Sequence, residues 1–264
     1  MEEGQLGLLT RRLKSESNWR DKYPAWQVYA DECEHLLEFL LAKGKLDHYW
    51  PRLCSKKQQR DETLNEIRVA YYLDSVGYSV VAWEPVDVPG ANVEFSVASD
   101  TGGPVLVEVK SPGWEAELSD EERRGGRAKQ DKYMGIEARA AGPIQVIRRT
   151  VEKARPKFSG KARALVVISD DCFVSLGSWG WGPMQMALTQ SSLGWGDGLF
   201  RDPKYSNIGA VCLFWITRVT NREGLRWDSL CTPNPNARPT AALPAELVRL
   251  LQTPALEPIP SANA

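Results

Sequence analysis

The feature that most constrains the fold of this sequence is a continuous apolar run, ARALVVISDD, at residues 162–171. Such runs are typical of a strand buried on both faces, whereas a strand with one solvated face alternates apolar and polar residues. The preceding residues 143–158, PIQVIRRTVEKARPKF, place Ile144, Ile147 and Val151 on one helical stripe. A helix that leads into a buried strand predicts a crossover onto a sheet with layers on both faces.

The rest of the pattern supports an α/β fold with a central mixed sheet flanked by helices. In chain order, the pattern predicts helices at 24–43 and 63–78, strands at 78–86, 92–98 and 104–110, a strand at 207–219 and a helix at 244–252. The three middle strands are separated by the turn sequences DVPGA and SDTGG, which predicts an antiparallel meander.

Domain organisation follows from the same pattern. We expect a helical N-terminal extension at 1–60, one α/β domain at 61–251 and a disordered tail at 252–264. Residues 113–143 are polar and highly charged, which predicts a long excursion between strand and helix.

Composition excludes several classes of function. The chain has 33 basic and 34 acidic residues, so it is not a polycation that would coat nucleic acid by charge alone. Five cysteines lie far apart without a CxxC pair, which disfavours a zinc ribbon or a disulfide framework. Two histidines are too few for histidine-rich metal sites, and no phosphate-binding glycine loop is present. The first residues contain no long apolar run, so we expect a cytoplasmic protein without a membrane partner.

Strand alternation places an acid and a base on one face of the segment VLVEVK. Val105, Val107 and Val109 share one side of the predicted strand, whereas Glu108 and Lys110 share the other. On the preceding strand, the same alternation places Val93 with Phe95 and Val97, and Glu94 on the opposite side. If the apolar faces align, Glu94 lies beside Glu108 and Lys110.

A third carboxylate comes from the helix at 63–78. Its buried stripe includes Ala70 and Leu73, and one turn before Ala70 the same stripe reaches Glu66. Buried carboxylates need partners, and three acids with one lysine leave an excess of negative charge that a divalent cation would neutralise. The alternative for each residue alone is a solvated strand edge or helix face.

These residues resemble the PD-(D/E)XK nuclease superfamily. Glu66 matches the acid of the first core helix, Glu94 follows Val93 where the family usually has Pro-Asp, and Glu108-Val109-Lys110 matches the ExK motif. VEKARPKF and ALVVISDD resemble the helix and the fourth strand that complete the family core. The resemblance covers residues 61–171 and implies a restriction-endonuclease-like fold.

What the resemblance implies is metal-dependent hydrolysis of a phosphodiester bond. Glu94 and Glu108 would hold Mg²⁺, with Mn²⁺ as a substitute, and the Val109 carbonyl would be a further oxygen ligand. Glu66 would support a second metal or a water, and Lys110 would orient the attacking water or stabilise charge on the phosphate.

A basic stretch supplies a candidate nucleic-acid surface. Between residues 145 and 163 there are seven basic residues and one acid, and five of the basic residues are candidate phosphate contacts: Arg148, Arg149, Lys153, Arg155 and Lys157. The alternative is a solvated helix face.

The leading hypothesis is therefore a Mg²⁺-dependent nuclease that acts on DNA in preference to RNA. The alternative is a catalytically silent module of the same fold that binds nucleic acid or a protein partner. A further alternative assigns the function to the helical N-terminus as an assembly element, and a homodimer is consistent with either.

Overall fold

The computed structural model describes residues 7–17, 26–55, 57–99, 102–111, 141–170, 181–192, 196–218 and 225–252. The predicted excursion at 113–143 lies mostly outside these residues, and so does the predicted tail apart from its first residue.

Four helices come first: α1 (Leu8–Glu16), α2 (Trp26–Ala42), α3 (Leu46–Leu53) and α4 (Lys57–Ser75). Strands β1 (Ser79–Trp83), β2 (Val86–Val88), β3 (Ala91–Asn92), β4 (Phe95–Ala98) and β5 (Val105–Lys110) follow. Next come α5 (Ala141–Ala154), a 3-10 turn (Arg155–Lys157) and β6 (Arg163–Asp170). The last elements are α6 (Trp181–Leu188), β7 (Ser191–Ser192), β8 (Gly196–Asp197), two 3-10 turns (Leu199–Arg201 and Pro203–Tyr205), β9 (Ala210–Arg218), β10 (Leu225–Pro233) and α7 (Ala245–Leu250).

Within the described part of the chain, six strands form one mixed sheet in the order β1-β4-β5-β6-β9-β10. The pairs β1/β4, β4/β5 and β9/β10 are antiparallel, whereas β5/β6 and β6/β9 are parallel. The change from antiparallel to parallel occurs where α5 connects β5 to β6, because a parallel pair requires a crossover. This confirms the predicted α/β architecture with helices around a mixed sheet.

Two apolar clusters cover the two faces of the sheet. One contains Val105, Val107 and Val109 of β5 together with side chains of α2, α3 and α4. The other contains Leu106 of β5, alternate residues of β6 and β9, and side chains of α5 and α6. β6 supplies Leu165 to the first cluster and Val166 to the second. The strand predicted to be buried on both faces is therefore confirmed as such.

The N-terminal helices share the core of the sheet. Leu13, Leu36, Leu40 and Leu53 are fully buried, and all belong to the same cluster as Val107. The predicted boundary between residues 60 and 61 falls inside α4, which begins at Lys57.

The structure differs from the predicted elements at two places. The strand predicted at 78–86 is divided into β1 and β2, because Glu84 has a φ of 51° and so lies in the left-handed region. α4 begins at Lys57 rather than at Thr63, and the Thr63 hydroxyl donates to the carbonyl of Gln59 one turn earlier in the same helix. In the described residues, no helix is sufficiently long and apolar to span a membrane.

Candidate active site

Glu108 lies at the centre of the candidate site. It is in β5, between β4 and β6, and its side chain is completely buried. Lys110, two residues further along the same face of the strand, places its Nζ 2.5 Å from Oε1 of Glu108. A carboxylate in such a position is tolerable only when it is paired, because burial removes the water that would solvate its charge.

Glu94 is brought to Glu108 by the pairing of β4 with β5. Phe95 pairs with Val107, so the same antiparallel register places Glu94 next to Glu108. Oε1 of Glu94 lies 3.7 Å from Nζ of Lys110. The structure therefore brings together the three residues that the sequence places on one side of adjacent strands.

Val93 does not share a face with Phe95, contrary to the prediction from alternation. Val93 packs in the cluster of Leu106, whereas Phe95 packs in the opposite cluster. β4 begins only at Phe95, and the amide of Val93 donates to the carbonyl of Pro85 at 3.1 Å. The two-residue alternation of a strand does not extend to residues that lie before the strand begins.

A second lysine, Lys157, enters the site from the layer of α5. Its Nζ lies 2.7 Å from Oε1 and 2.9 Å from Oε2 of Glu108. It also lies 3.7 Å from Oε1 of Glu94. Sequence reasoning places Lys157 only in the basic stretch. A signal for the site is present, because Lys157 lies three residues after the buried Ala154 and so continues the buried stripe of α5 by one turn.

Glu66 approaches from the opposite face of the sheet, because α4 packs on the cluster of Val107 and Val109. Oε1 of Glu66 accepts a hydrogen bond from Nη2 of Arg52 in α3 at 2.6 Å. Oε2 of Glu66 is buried without a hydrogen-bond partner. Arg52 also lies 5.4 Å from the ring centre of the buried Tyr49. The N-terminal helices thus contribute a residue, Arg52, that sequence reasoning did not place at the site.

Burial and charge repulsion raise the pKa values of two carboxyl groups. Burial, followed by repulsion from Glu94, raises the pKa of Glu66 to about 8 despite the ion pair with Arg52. Burial, followed by repulsion from Glu108, raises the pKa of Glu94. For Lys110, burial lowers the pKa, but attraction to Glu108, Glu94 and Glu66 outweighs it and raises the pKa. Lys110 therefore remains cationic at neutral pH.

The charge balance of the site differs from the sequence-based expectation. Sequence analysis predicts three acids with one lysine, and hence an excess of negative charge. Arg52 pairs with Glu66 and Lys157 pairs with Glu108, so three cations face three carboxyl groups. Neutralisation alone therefore does not require a metal ion, because long side chains from α3 and from the turn after α5 provide the missing charge.

Glu94 and Glu108 present the oxygen donors that a hard divalent cation prefers. Oε1 of Glu94 and Oε1 of Glu108 face the same two ammonium groups, so both oxygens point to one region. Val109, the source of the further carbonyl ligand, lies between Glu108 and Lys110 and pairs with Val167 of β6. Across the described segments, no group of three or more His, Cys, Asp or Glu side chains is arranged to hold a metal ion. Two carboxylates fit Mg²⁺, which usually retains several waters.

The other basic candidates lie on or near α5. Arg148 donates from Nη1 to the carbonyl of Asp197 at 2.9 Å. Arg149 and Lys153 are exposed on α5, and Arg155 begins the 3-10 turn that ends at Lys157. Nothing in these positions tests the binding of nucleic acid, so that surface stays a prediction. Lys157 differs from the other four residues because it lies in the candidate site, against Glu108.

Comparisons with known proteins do not assign a family. No family model, no curated protein and no solved structure matches the chain.

Proposed function

We propose that the protein is a metal-dependent nuclease that hydrolyses phosphodiester bonds, in DNA in preference to RNA. The observation that carries the proposal is the meeting of Glu94 and Glu108 at Nζ of Lys110, at 3.7 and 2.5 Å. Two acids and a lysine at one point are the groups that can hold a divalent cation and orient a water beside an anionic phosphate.

The order of elements supports the same proposal. Helix α4, the antiparallel strands β1, β4 and β5, the crossover helix α5 and the parallel strand β6 follow one another in the chain. This is the order that the resemblance to the PD-(D/E)XK superfamily implies, with Glu66 on the first helix and the ExK residues on the third sheet strand. A restriction-endonuclease-like core is accordingly part of the proposal.

Each residue has a role that follows from its position. Glu94 and Glu108 would hold Mg²⁺ or Mn²⁺ through their carboxylates, with the Val109 carbonyl as a further ligand. When bound, the metal supplies Lewis-acid activation of the phosphate and lowers the pKa of a water. Lys110 orients the attacking water and stabilises negative charge on the phosphate as the reaction proceeds.

Glu66 supports the reaction from the other face of the sheet. Its Oε2 atom has no hydrogen-bond partner, so it can donate to or accept from a metal-bound water, or bind a second metal once Glu66 is deprotonated. Its pKa of about 8 places proton exchange close to neutral pH, where general acid-base groups are most effective. Arg52 holds the other oxygen of Glu66 at 2.6 Å and so fixes its orientation.

The proposal is tested by cleavage of covalently closed circular DNA, linear duplex, single-stranded DNA and RNA in Mg²⁺. Lys110→Ala should reduce cleavage by about 10²-fold or more, the scale seen when one charge-stabilising group is removed. The fold should persist because Glu108 keeps its ion pair with Lys157.

Lys204→Ala is the matched control, since Lys204 is an exposed lysine outside both the candidate site and the basic stretch at 145–163. It should cleave at a rate close to that of the wild-type protein. Equal rates for the wild-type protein and the Lys110→Ala variant would overturn the catalytic assignment, and so would cleavage that persists in EDTA.

The charge balance of the site favours a second candidate, a module of the same fold that binds nucleic acid or a protein partner without catalysis. Arg52, Lys110 and Lys157 already supply at least as much positive charge as the three carboxyl groups carry negative charge. Retained binding of nucleic acid with no cleavage in either Mg²⁺ or Mn²⁺, over the whole substrate panel, would support this second function over the first.

A further inference from the structure

Lys157 contacts the same carboxylate as Lys110, that of Glu108, but through both of its oxygens. Lys110 approaches Oε1 of Glu108 at 2.5 Å, whereas Lys157 lies within 2.9 Å of both Oε1 and Oε2. Both ammonium groups lie 3.7 Å from Oε1 of Glu94. Lys157 is therefore the cation that covers both oxygens of Glu108.

The backbone that carries Lys157 is firmly held. The side-chain amide of Asn207 donates to the carbonyl of Arg155 at 3.0 Å and to that of Phe158 at 2.6 Å. The next residue, Ser159, donates from its amide and its hydroxyl to the two oxygens of Asp87, at 2.5 and 2.9 Å. The start of the side chain is thus fixed beside the site.

The tip of the Lys157 side chain has a route out of the site. Its side chain is 25% exposed, whereas that of Glu108 is 0% exposed. Four methylene groups join the fixed backbone to the ammonium, so rotation about these bonds moves the charge towards solvent without moving the turn. Lys157 can therefore leave Glu108 while the carboxylate stays in place.

A divalent cation that uses Glu94 and Glu108 needs oxygens that Lys157 covers. Two positive charges at contact distance in a buried site repel each other strongly, because water does not screen them there. The side chain of Lys110 is 31% exposed and can also move, but its contact is with Oε1 of Glu108, whereas the hydrogen bond of Lys157 is to Oε2 and its ion pair is to Oε1, so Lys157 lies against both oxygens that a cation would use. The conflict therefore falls on Lys157.

On the basis of the proposed function, we propose that Lys157 competes with the divalent cation for Glu94 and Glu108, and that the released ammonium then pairs with a phosphate of the nucleic acid. Lys157 thereby couples metal uptake to substrate binding. A lysine is suited to both partners, because it is a compact cation that binds carboxylate and phosphate alike.

The test compares Mn²⁺ affinity by isothermal titration calorimetry for the wild-type protein and for Lys157→Met, Lys157→Arg and Lys153→Met. Removal of the competing charge should tighten Mn²⁺ binding by about tenfold in Lys157→Met, on the scale expected for one nearby charge. Lys157→Arg keeps the charge and Lys153→Met leaves the site intact, so both should bind Mn²⁺ like the wild-type protein.

The second readout is the salt dependence of duplex DNA binding in Mn²⁺, measured in a Lys110→Ala background in which cleavage is much slower than binding. Adding Lys157→Met should reduce the slope of log affinity against log salt concentration by about 1, as expected for one lost phosphate contact. This readout requires no turnover and distinguishes a phosphate contact from a purely structural role.

The outcomes separate the two proposals. If the wild-type protein binds Mn²⁺ and cleaves DNA while Lys157→Met binds Mn²⁺ equally or more weakly, the competition is refuted and the nuclease proposal stands. An unchanged salt slope refutes the phosphate contact. If the wild-type protein neither binds Mn²⁺ nor cleaves any substrate, both proposals fail.

Discussion

At the scale of single residues, Glu66 shows how a buried acid can respond to pH while its partner stays charged. It is only 6% exposed, and Arg52 holds one of its oxygens at 2.6 Å. Burial and the nearby Glu94 nevertheless raise the pKa of Glu66 to about 8. Arg52 remains charged throughout, because attraction to Glu66 and Glu94 outweighs its burial and raises its pKa.

The raised pKa of Glu66 predicts a specific loss of stability at alkaline pH. The folded protein binds the Glu66 proton more tightly than the unfolded chain, so this contribution is complete below pH 4.5 and is lost as pH rises through about 8. The shift from 4.5 to about 8 corresponds to at most about 5 kcal/mol. Glu66→Gln should remove this part of the pH dependence, since glutamine stays neutral.

Urea unfolding of the wild-type protein and of Glu66→Gln at pH 5 and pH 8.5 measures this effect. The two proteins should have similar free energies of unfolding at pH 5, and the variant should be the more stable of the two at pH 8.5. If the difference in free energy of unfolding between the two proteins were the same at pH 5 and pH 8.5, Glu66 would not be held in the protonated form by its surroundings.

Some residues of the site were predictable and others were not, for a physical reason. Glu108 and Lys110 share a strand face by local alternation, and Glu94 reaches them through the pairing of neighbouring strands. Arg52 lies 14 residues from Glu66, and Lys157 lies 49 residues from Glu108. Long side chains that meet across layers depend on how helices dock, and no local period of the sequence encodes that contact.

At the scale of elements, the N-terminal helices are part of the machinery that holds the site. α2 and α3 pack against α4 in the cluster that also contains Val107 and Val109. Arg68 of α4 joins the carboxylate of Glu32 in α2 through two hydrogen bonds, and Trp227 of β10 donates to the same carboxylate at 3.1 Å. These contacts connect α2 both to α4 and to β10, the last strand of the sheet.

This packing predicts that α2 and the sheet unfold together. Leu40 is fully buried in the shared cluster, whereas its neighbour Leu41 is 57% exposed. Leu40→Ala should lower the free energy of unfolding by about 2–5 kcal/mol, the usual cost of a cavity at a buried leucine. Leu41→Ala is the matched control and should change the free energy by much less, because its side chain already contacts water.

Urea denaturation followed by fluorescence and by circular dichroism checks this prediction. The wild-type protein and both variants should show one coincident transition by the two probes. Separate transitions, or equal costs for Leu40→Ala and Leu41→Ala, would mean that the N-terminal helices form a unit independent of the sheet.

At the scale of the whole molecule, apolar side chains pack on both faces of the sheet, and Glu108 and Lys110 share one of them. Its β5 strand sends Val105, Val107 and Val109 into one cluster and places Glu108 on the other side, next to Lys110. The pattern of apolar residues was sufficient to predict an α/β fold with a mixed sheet. It did not predict α1, α3 or β10, because α1 carries a mixed polar sequence, α3 contains Pro51, and β10 begins with the polar residues of LRWDSLCTP.

The proposed metal centre consists of two carboxylates and two lysines: Glu94, Glu108, Lys110 and Lys157. Glu108 is its most informative residue, since it is fully buried and contacts both Lys110 and Lys157. Glu108→Gln keeps the size of the side chain and removes its charge, so it tests metal binding with the least change in packing.

The most direct measurement is calorimetric titration of Mn²⁺ into the wild-type protein and into Glu108→Gln, with thermal unfolding as the check that both are folded. The wild-type protein should bind Mn²⁺ at this site, and Glu108→Gln should lose that binding. Binding of equal affinity and stoichiometry in the two proteins, or no binding by the wild-type protein, would contradict the assignment of Glu94 and Glu108 as metal ligands.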